Sequence, residues 1–420
     1  MSSETLSSTV ALLTGGSDKP YALGLASALA ARGVSIDFVG SDELNCPEVR
    51  GLPGLRFLNL RGDQREDAPF KDKAVRLFRY YARLVSYVAV TRAPILHILW
   101  NNKFELFDRT LLMAYYRLLG KRVVLTAHNV NVAARDRKDR WLNRQSLRIQ
   151  YRLCHHIFVH TDAMKAQLVA EFGVSAERVT VIPFGINDTI PRTGVTRLAA
   201  RQRLGIGNNE AALLFFGQIA PYKGLEYLIE ALAILARNGE HVRLIIAGKV
   251  KRGNEDYWER VQGSIAQLGV SEWVNQVVRF IPDDQVEPYF VASDAVVIPY
   301  VDIFQSGVPF LAFSFGLPVI ATDVGSLRDD VTSETGLLCK PSDAGDLARV
   351  ISEFYQSDLR RNADDVGIRI REIALRSHSW ETVSERITAV YRDLAGESPG
   401  FGVLRPSADH HERAPSKCRE

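Results

Sequence analysis

The 420-residue chain contains no run of about 18 uninterrupted apolar residues, the length a membrane-spanning helix needs, so any membrane contact is expected to be peripheral. It also lacks an excess of charge. With 52 basic against 49 acidic side chains and a net charge of +3, nothing points to nucleic acid or an acidic polymer as partner. The four cysteines, Cys46, Cys154, Cys339 and Cys418, stand far apart without a CxxC pair. That excludes a disulfide framework or cysteine zinc site and leaves buried thiols in a reducing compartment as the expectation. No metal is expected: Asp283-Asp284 and Asp329-Asp330 fall in polar loops and read as caps or solvated turns. The apolar run 10–13 is too short for a signal peptide and has no basic segment before it, so a cytoplasmic location is expected, with the inner face of the membrane within reach. Gly15-Gly16 lacks the third glycine of GxGxxG, which argues against a dinucleotide site.

What is present is ordinary globular material, 46% hydrophobic and 24% charged, of a length that suits two domains. Short apolar runs at 10–13, 35–39, 95–99, 122–126 and 157–160 alternate with helix-length segments, the pattern of a parallel sheet covered by helices. After a polar, proline-bearing stretch the alternation restarts at 211–216 and 242–247 and continues at 277–280, 295–298 and 318–322. The expected fold is therefore α/β, with two Rossmann-like doubly wound domains facing across a cleft: residues 1–190, a linker at 191–209, and residues 210–378. A closing helix at 379–395 follows, and a tail at 396–420 rich in Pro, Ser, His and charge is expected to be disordered.

Two segments carry phosphate chemistry. In the first, a strand ending at Phe216 runs through Gly217, Gln218, Lys223 and Gly224 into an amphipathic helix. Glycine permits close backbone approach, lysine supplies a point charge and the helix start supplies N–H donors, which together suit a diphosphate. A plain glycine turn with a solvated lysine has the same sequence. In the second, Gln305, Ser306, Gly307 and Val308 precede another helix, with Gly316-Leu317-Pro318 leading into a buried strand. His128 follows the 122–126 strand, where a doubly wound fold opens its cleft, and is expected to offer a hydrogen bond without a fixed charge. His97, Trp100, Asn101 and Asn102 follow the 95–99 strand and suit either an acceptor pocket or a buried tryptophan with capping asparagines. Residues 71–92 read as an amphipathic helix with Arg76, Arg79 and Arg83 on one face and Leu77, Tyr81, Leu84 and Val88 on another; 135–148 is a second basic run. Such a helix either packs on the core with a solvated basic face or rests on anionic lipid.

In order and spacing, Gly15-Gly16, Ala127-His128-Asn129, residues 181–187, Gly217 with Lys223-Gly224, residues 279–282 and residues 316–325 make the chain resemble glycosyltransferase family four, of the glycosyltransferase-B fold. The resemblance spans nearly the whole chain. It implies a retaining, metal-independent transfer of a sugar from a nucleotide-diphosphate-sugar to an acceptor hydroxyl, with no further cofactor, in bacterial polysaccharide or glycolipid synthesis. It implies that Lys223 neutralises the diphosphate and acts with His128 in catalysis. It places Gly217, Gln218, Gly224, Phe280, Ile281, Gln305, Ser306, Gly307 and Val308 at the donor. Gly15, Gly16, Asp18, Lys19, Tyr21, Trp100 and Asn101 fall on the acceptor side, the acceptor being a sugar or a lipid-linked sugar. The chain departs from the pattern at Gln218, where the family has arginine, and at Ile303 and Leu311, where it has two glutamates. A non-catalytic or altered nucleotide-sugar-binding homologue is the alternative. An epimerase or phosphorylase on the same architecture is a further one, although no pyridoxal-phosphate lysine context is recognisable.

Overall fold

The computed structural model describes residues 6, 8–15, 19–65, 69–135, 139–186 and 190–397. Gly16, Asp18 and the tail from 398 onward lie outside the described residues. Two parallel sheets organise the chain. The first has seven strands: β1 (Val10–Leu13), β2 (Ile36–Gly40), β3 (Leu55–Asn59), β4 (Ile95–Ile98), β5 (Arg122–Thr126), β6 (His156–Val159) and β7 (Val179–Val181). Their order is β3-β2-β1-β4-β5-β6-β7. The second has six: β8 (Ala211–Phe216), β9 (Val242–Ala247), β10 (Val274–Val277), β11 (Ala295–Ile298), β12 (Val319–Thr322) and β13 (Gly336–Cys339), in the order β10-β9-β8-β11-β12-β13. Strands β1, β4, β11 and β12 are buried at every residue, as continuous Val/Ile/Leu runs require when helices cover both faces.

In each sheet the strand order reverses once, between β1 and β4 and between β8 and β11. At such a switch the loops leave the carboxyl edge in opposite directions and open a crevice. The segments around Gly15, Trp100, Gly217 and Tyr300 all follow those four strands. The expected two-domain fold is thus present, with one strand displaced and three edge-side strands, β3, β7 and β13, that the apolar runs do not announce. β10 occupies 274–277 rather than 277–280, because Val274 to Val277 register with Leu244 to Ala247 and the chain turns immediately afterwards, Arg279 N–H donating to the Val277 carbonyl.

The stretch 191–209 is not slack. Thr196 caps the helix Arg197–Arg203, and Arg201, 1% exposed, donates to the carbonyls of Ala292, Gly207, Asn208 and Glu210, with the Asp294 carboxylate 3.4 Å away. A buried guanidinium is tolerable only with its donors satisfied. It fastens this stretch to the second domain.

The chain crosses back at residue 378. Ile186 N–H donates to the His378 carbonyl, and Trp380 Nε1 donates to the Ile186 carbonyl at 2.7 Å. The helix Trp380–Ala395 then buries Val383, Ile387 and Tyr391 in the first domain's core, and Tyr391 Oη lies 2.5 Å from His97 Nδ1. Among the described residues, no helix is long and apolar enough to cross a membrane.

Candidate active site

The loop after β8 is shaped by two glycines. Gly217 has φ +106°, and a Cβ there would sit 3.2 Å from Lys223 Nζ; Gly224 has φ +62°, and a Cβ there would overlap the Pro299 carbonyl oxygen at 2.1 Å. Both positions therefore exclude other residues on conformation, and Gly224 also on space. The loop is braced by a bridge between Ile219 and Val250, which couples it to the loop after β9.

Lys223 is 7% exposed, in the short turn Pro221–Lys223. Its Nζ donates to Tyr300 Oη at 2.6 Å and lies over the same ring, 4.6 Å from the centroid. This is not a solvated lysine on a glycine turn. Burial pushes the Tyr300 phenol above its usual pKa of 10, so it stays protonated, and it also shares a hydrogen bond with Ser306. Ser306 Oγ in turn accepts from Val308 N–H at 3.3 Å. The glycine-lysine turn and the Gln305–Val308 loop are thereby joined through Tyr300, a residue with no motif around it.

The helix Val308–Ser314 gives fewer amides than its sequence position suggests. Pro309 has no N–H, and Val308 N–H is already engaged by Ser306. Gln305 Nε2 is 3.4 Å from Asp330 Oδ2, and burial lifts the Asp330 carboxyl to about 7. Ile303, 6% exposed, belongs to the second domain's core, and Leu311 packs against that core. At neither position does the chain offer a polar group to a ribose. Gln218 and Phe280 are exposed, Phe280 with Lys249 Nζ 5.8 Å from its ring centroid, whereas Ile281 is buried in the core and contributes packing.

On the first-domain side the residues predicted near the acceptor divide. Gly15 has φ +62°, and a Cβ there would lie 2.3 Å from the Trp100 carbonyl oxygen, so this turn closes on Trp100. Lys19 is exposed. Tyr21, 2% exposed, is enclosed by Trp100, His128, His160, Phe184 and Trp380 and is a packing residue. Asn101 pairs its amide reciprocally with Gln150, at 3.2 and 2.7 Å. His97 is fully buried between Tyr391 and Thr126, and desolvation lowers its pKa to about 3. It joins the closing helix to the sheet and lines no acceptor pocket.

His128 stacks on Trp100, with ring centroids 4.3 Å apart and planes parallel to 1°. Its Nδ1 is 3.1 Å from His160 Nε2, and His160 Nδ1 is 3.3 Å from the Ile182 carbonyl. Burial drives the His128 pKa well below 6.5, with His160 and His97 adding to the shift, and takes His160 to about 4. Both rings are therefore neutral near pH 7. A carbonyl only accepts, so the His160 proton sits on Nδ1, its Nε2 accepts from His128 Nδ1–H, and His128 Nε2 keeps a bare lone pair. Among the described residues that buried nitrogen has no hydrogen-bond partner. So placed, Nε2 can accept a hydrogen bond but not donate one, whereas a donating histidine is the sequence expectation.

Phe184 joins the two halves. It lies 5.0 Å from His160 and 6.3 Å from His128 by ring centroids, stacks on Phe310 of the second domain at 5.4 Å, and would touch a Cβ on Gly307 at 3.5 Å. Phe184 and Tyr300 carry the connections that the separate motifs could not show. Among the described residues no three His, Cys, Asp or Glu side chains gather as a metal-binding group.

Comparison with known proteins agrees with this architecture. Residues 20–189 match the family described as Glycosyltransferase Family 4, and residues 196–369 match Glycosyl transferases group 1. D-inositol 3-phosphate glycosyltransferase of Acidothermus cellulolyticus is 27% identical over 394 residues, 90% of this chain and 85% of that protein. The Nocardia farcinica protein of the same name is 31% identical over a shorter stretch, 57% of this chain and 53% of its own. Among solved structures, sucrose-phosphate synthase from Thermosynechococcus elongatus superposes with a TM-score of 0.74 at 21% identity, covering 93% of this chain and all of that one. Anabaena HepE in complex with UDP and glucose superposes with a TM-score of 0.70 at 18% identity, covering 92% and 100%. With two doubly wound domains, a shared crevice and both halves matched in order, the chain belongs to the group 1, family four glycosyltransferases of the glycosyltransferase-B fold.

Proposed function

We propose that this glycosyltransferase takes its sugar from a nucleoside-diphosphate-sugar held by the second domain and passes it to an acceptor hydroxyl presented by the first. The observation that carries this reading is the buried Lys223 ammonium, held by Tyr300 beside Gly217. A desolvated cation at a glycine-lined strand end interacts more strongly with an arriving diphosphate than a solvated one does. The Ser306-Gly307 loop supplies further backbone donors, the Gly217 N–H being taken by the Ala247 carbonyl, and negative charge developing on the leaving diphosphate is stabilised there without a metal or other cofactor. His128 Nε2 accepts a hydroxyl of the transferred sugar, which fixes the ring against the Trp100 side. Retention of configuration is part of the same reading. The inositol-phosphate glycosyltransferases and the UDP complex of HepE support a nucleotide donor and a polar acceptor.

A cytoplasmic enzyme of bacterial glycan or glycolipid synthesis is the setting this reading favours, with peripheral membrane contact through the helix Phe70–Val90. That helix turns Tyr80, Tyr81, Leu84 and Val88 inward and leaves Val75, Phe78, Arg79 and Arg83 outward, Phe78 being 78% exposed. An apolar side chain among basic ones suits an anionic lipid surface. A screen of nucleoside diphosphates and their sugars by thermal shift, followed by transfer assays with the binders, tests the donor reading. Retained affinity for every binder in Lys223→Ala would sink it.

A further inference from the structure

The helix that follows the Ser306-Gly307 loop, Val308–Ser314, has two unlike faces. Pro309, Phe310, Ala312 and Phe313 are buried, whereas Val308 and Leu311 are only partly covered, as is Phe315 just beyond the helix. Spacings of three and seven residues set these three side chains along one apolar stripe. The stripe begins at the glycine turn, because a Cβ on Gly217 would lie 3.9 Å from Val308 Cγ2 and 3.2 Å from Lys223 Nζ. Its far end is closed. Phe315 stacks on Phe290 at 4.8 Å, and the Arg192 guanidinium lies over its ring at 3.4 Å from the centroid. Val308 and Leu311 are therefore the part of the stripe open to a ligand whose diphosphate sits at Gly217 and Lys223. Glu287, a buried carboxylate on the helix that carries Phe290, is already engaged by the N–H groups of Thr193 and Gly194.

A nucleoside-diphosphate-sugar held by its diphosphate has two ends. The sugar end faces the first domain, where Phe184 stacks on Phe310 and approaches Gly307. The nucleoside end runs the other way, toward the exposed Phe280 beyond β10, and the first group after the diphosphate is the pentose. A ribose 2′-hydroxyl pressed on Val308 and Leu311 loses its water and gains no acceptor from them, whereas the methylene at C2′ of a deoxyribose matches an apolar wall. We propose that Val308 and Leu311 select a 2′-deoxyribonucleoside diphosphate sugar as the donor. The proposal rests on the donor reading above and adds which pentose that site takes. An apolar wall rejects an added hydroxyl by no more than about a hundredfold, which bounds the preference.

Calorimetric titration of the full chain with dUDP and with UDP, which differ by that one hydroxyl, is the test. The deoxy compound is expected to bind about ten- to a hundredfold more tightly. In Leu311→Glu a carboxylate supplies the missing acceptor, so the ratio of the two affinities is expected to move about tenfold or more toward UDP. The ratio is the readout because the new charge also repels the diphosphate, weakening both ligands alike. Val308→Thr keeps the shape of valine and adds an acceptor oxygen; it is expected to move the ratio the same way and serves should Leu311→Glu fail to fold. Equal affinities in the parent, tighter binding of UDP, or a ratio unmoved by either variant overturns the proposal and leaves the donor reading standing. Binding of neither nucleotide overturns both, so the two failures are told apart.

Discussion

Lys223 and Tyr300, 77 positions apart, meet with 2.6 Å between ammonium nitrogen and phenolic oxygen, and the ring of the same tyrosine faces the charge. Tyr300→Phe keeps the ring but removes the oxygen, leaving a buried charge short of one acceptor, a loss of about 1–3 kcal/mol. The urea midpoint of the unliganded protein is expected to fall. A bound diphosphate replaces the missing partner, so the thermal shift caused by the donor nucleotide should be larger in Tyr300→Phe than in the parent. A smaller shift would mean that Tyr300 itself holds the ligand.

The neutral histidines fix the acid side of the stability curve. His97 at about 3 and His160 at about 4 stay unprotonated in the native state where the unfolded chain, at 6.5, takes up protons. Unfolded chains then bind more protons than native ones, so stability falls as pH drops from 6.5 toward 4, by up to about 1.4 kcal/mol per pH unit for each such group. Urea melts at pH 7 and pH 5 measure this, and His97→Gln should flatten the difference.

For catalysis, the same burial removes any His128 titration from the neutral range. His128→Ala is expected to lower kcat roughly a hundredfold while nucleotide affinity is kept, and kcat/KM of the parent should show no inflection near pH 6.5. An inflection there that disappears in His128→Ala would contradict the neutral relay with His160.

Asp330 acts with the opposite sign. Its carboxyl is raised from 3.8 to about 7, so between those values the native state binds the extra proton and stability falls as pH rises. Asp330→Asn should therefore stabilise the protein at pH 8 and leave it nearly unchanged at pH 4, read by thermal melts at both. The neighbouring Gln305 keeps an amide partner in the variant.

Gly24 sits in the helix Lys19–Ala31, where alanine would by itself gain about 1 kcal/mol. A Cβ at this position, however, would lie 2.3 Å from Trp380, whose indole is held by its bond to the Ile186 carbonyl. Overpacking at a fixed ring costs about 1–3 kcal/mol, so Gly24→Ala is expected to lower the melting temperature. An increase would show that the closing helix yields.

Membrane contact has its own test on the outward face of the helix Phe70–Val90. Co-sedimentation with anionic vesicles should drop in Phe78→Ser with Arg79→Glu, while nucleotide binding persists, because both side chains are exposed on a first-domain helix away from the Gly217–Gly224 turn. Equal sedimentation of parent and variant would remove this helix from consideration.

The strands and the glycine turns were legible because their signals are local. An apolar run of four to six residues reports burial on both faces, as at β8 and β11, and Gly217 and Gly224 stand where the backbone needs positive φ. The resemblance that rests on these residues and on His128 matched the family found by comparison. What sequence could not carry was pairing across distance. Nothing near Tyr300 announces Lys223, nothing near His160 announces that it sets the His128 proton, and His97 is separated from Tyr391 by 294 positions. Nor does spacing reveal that Arg61, Lys103 and Arg252 share a cavity, or that Arg201 anchors residues 191–209. Periodicity records which face of an element avoids water. Which buried polar atom finds a partner, and so which one remains to bind a ligand, is decided only when both sheets and the returning helix are packed together.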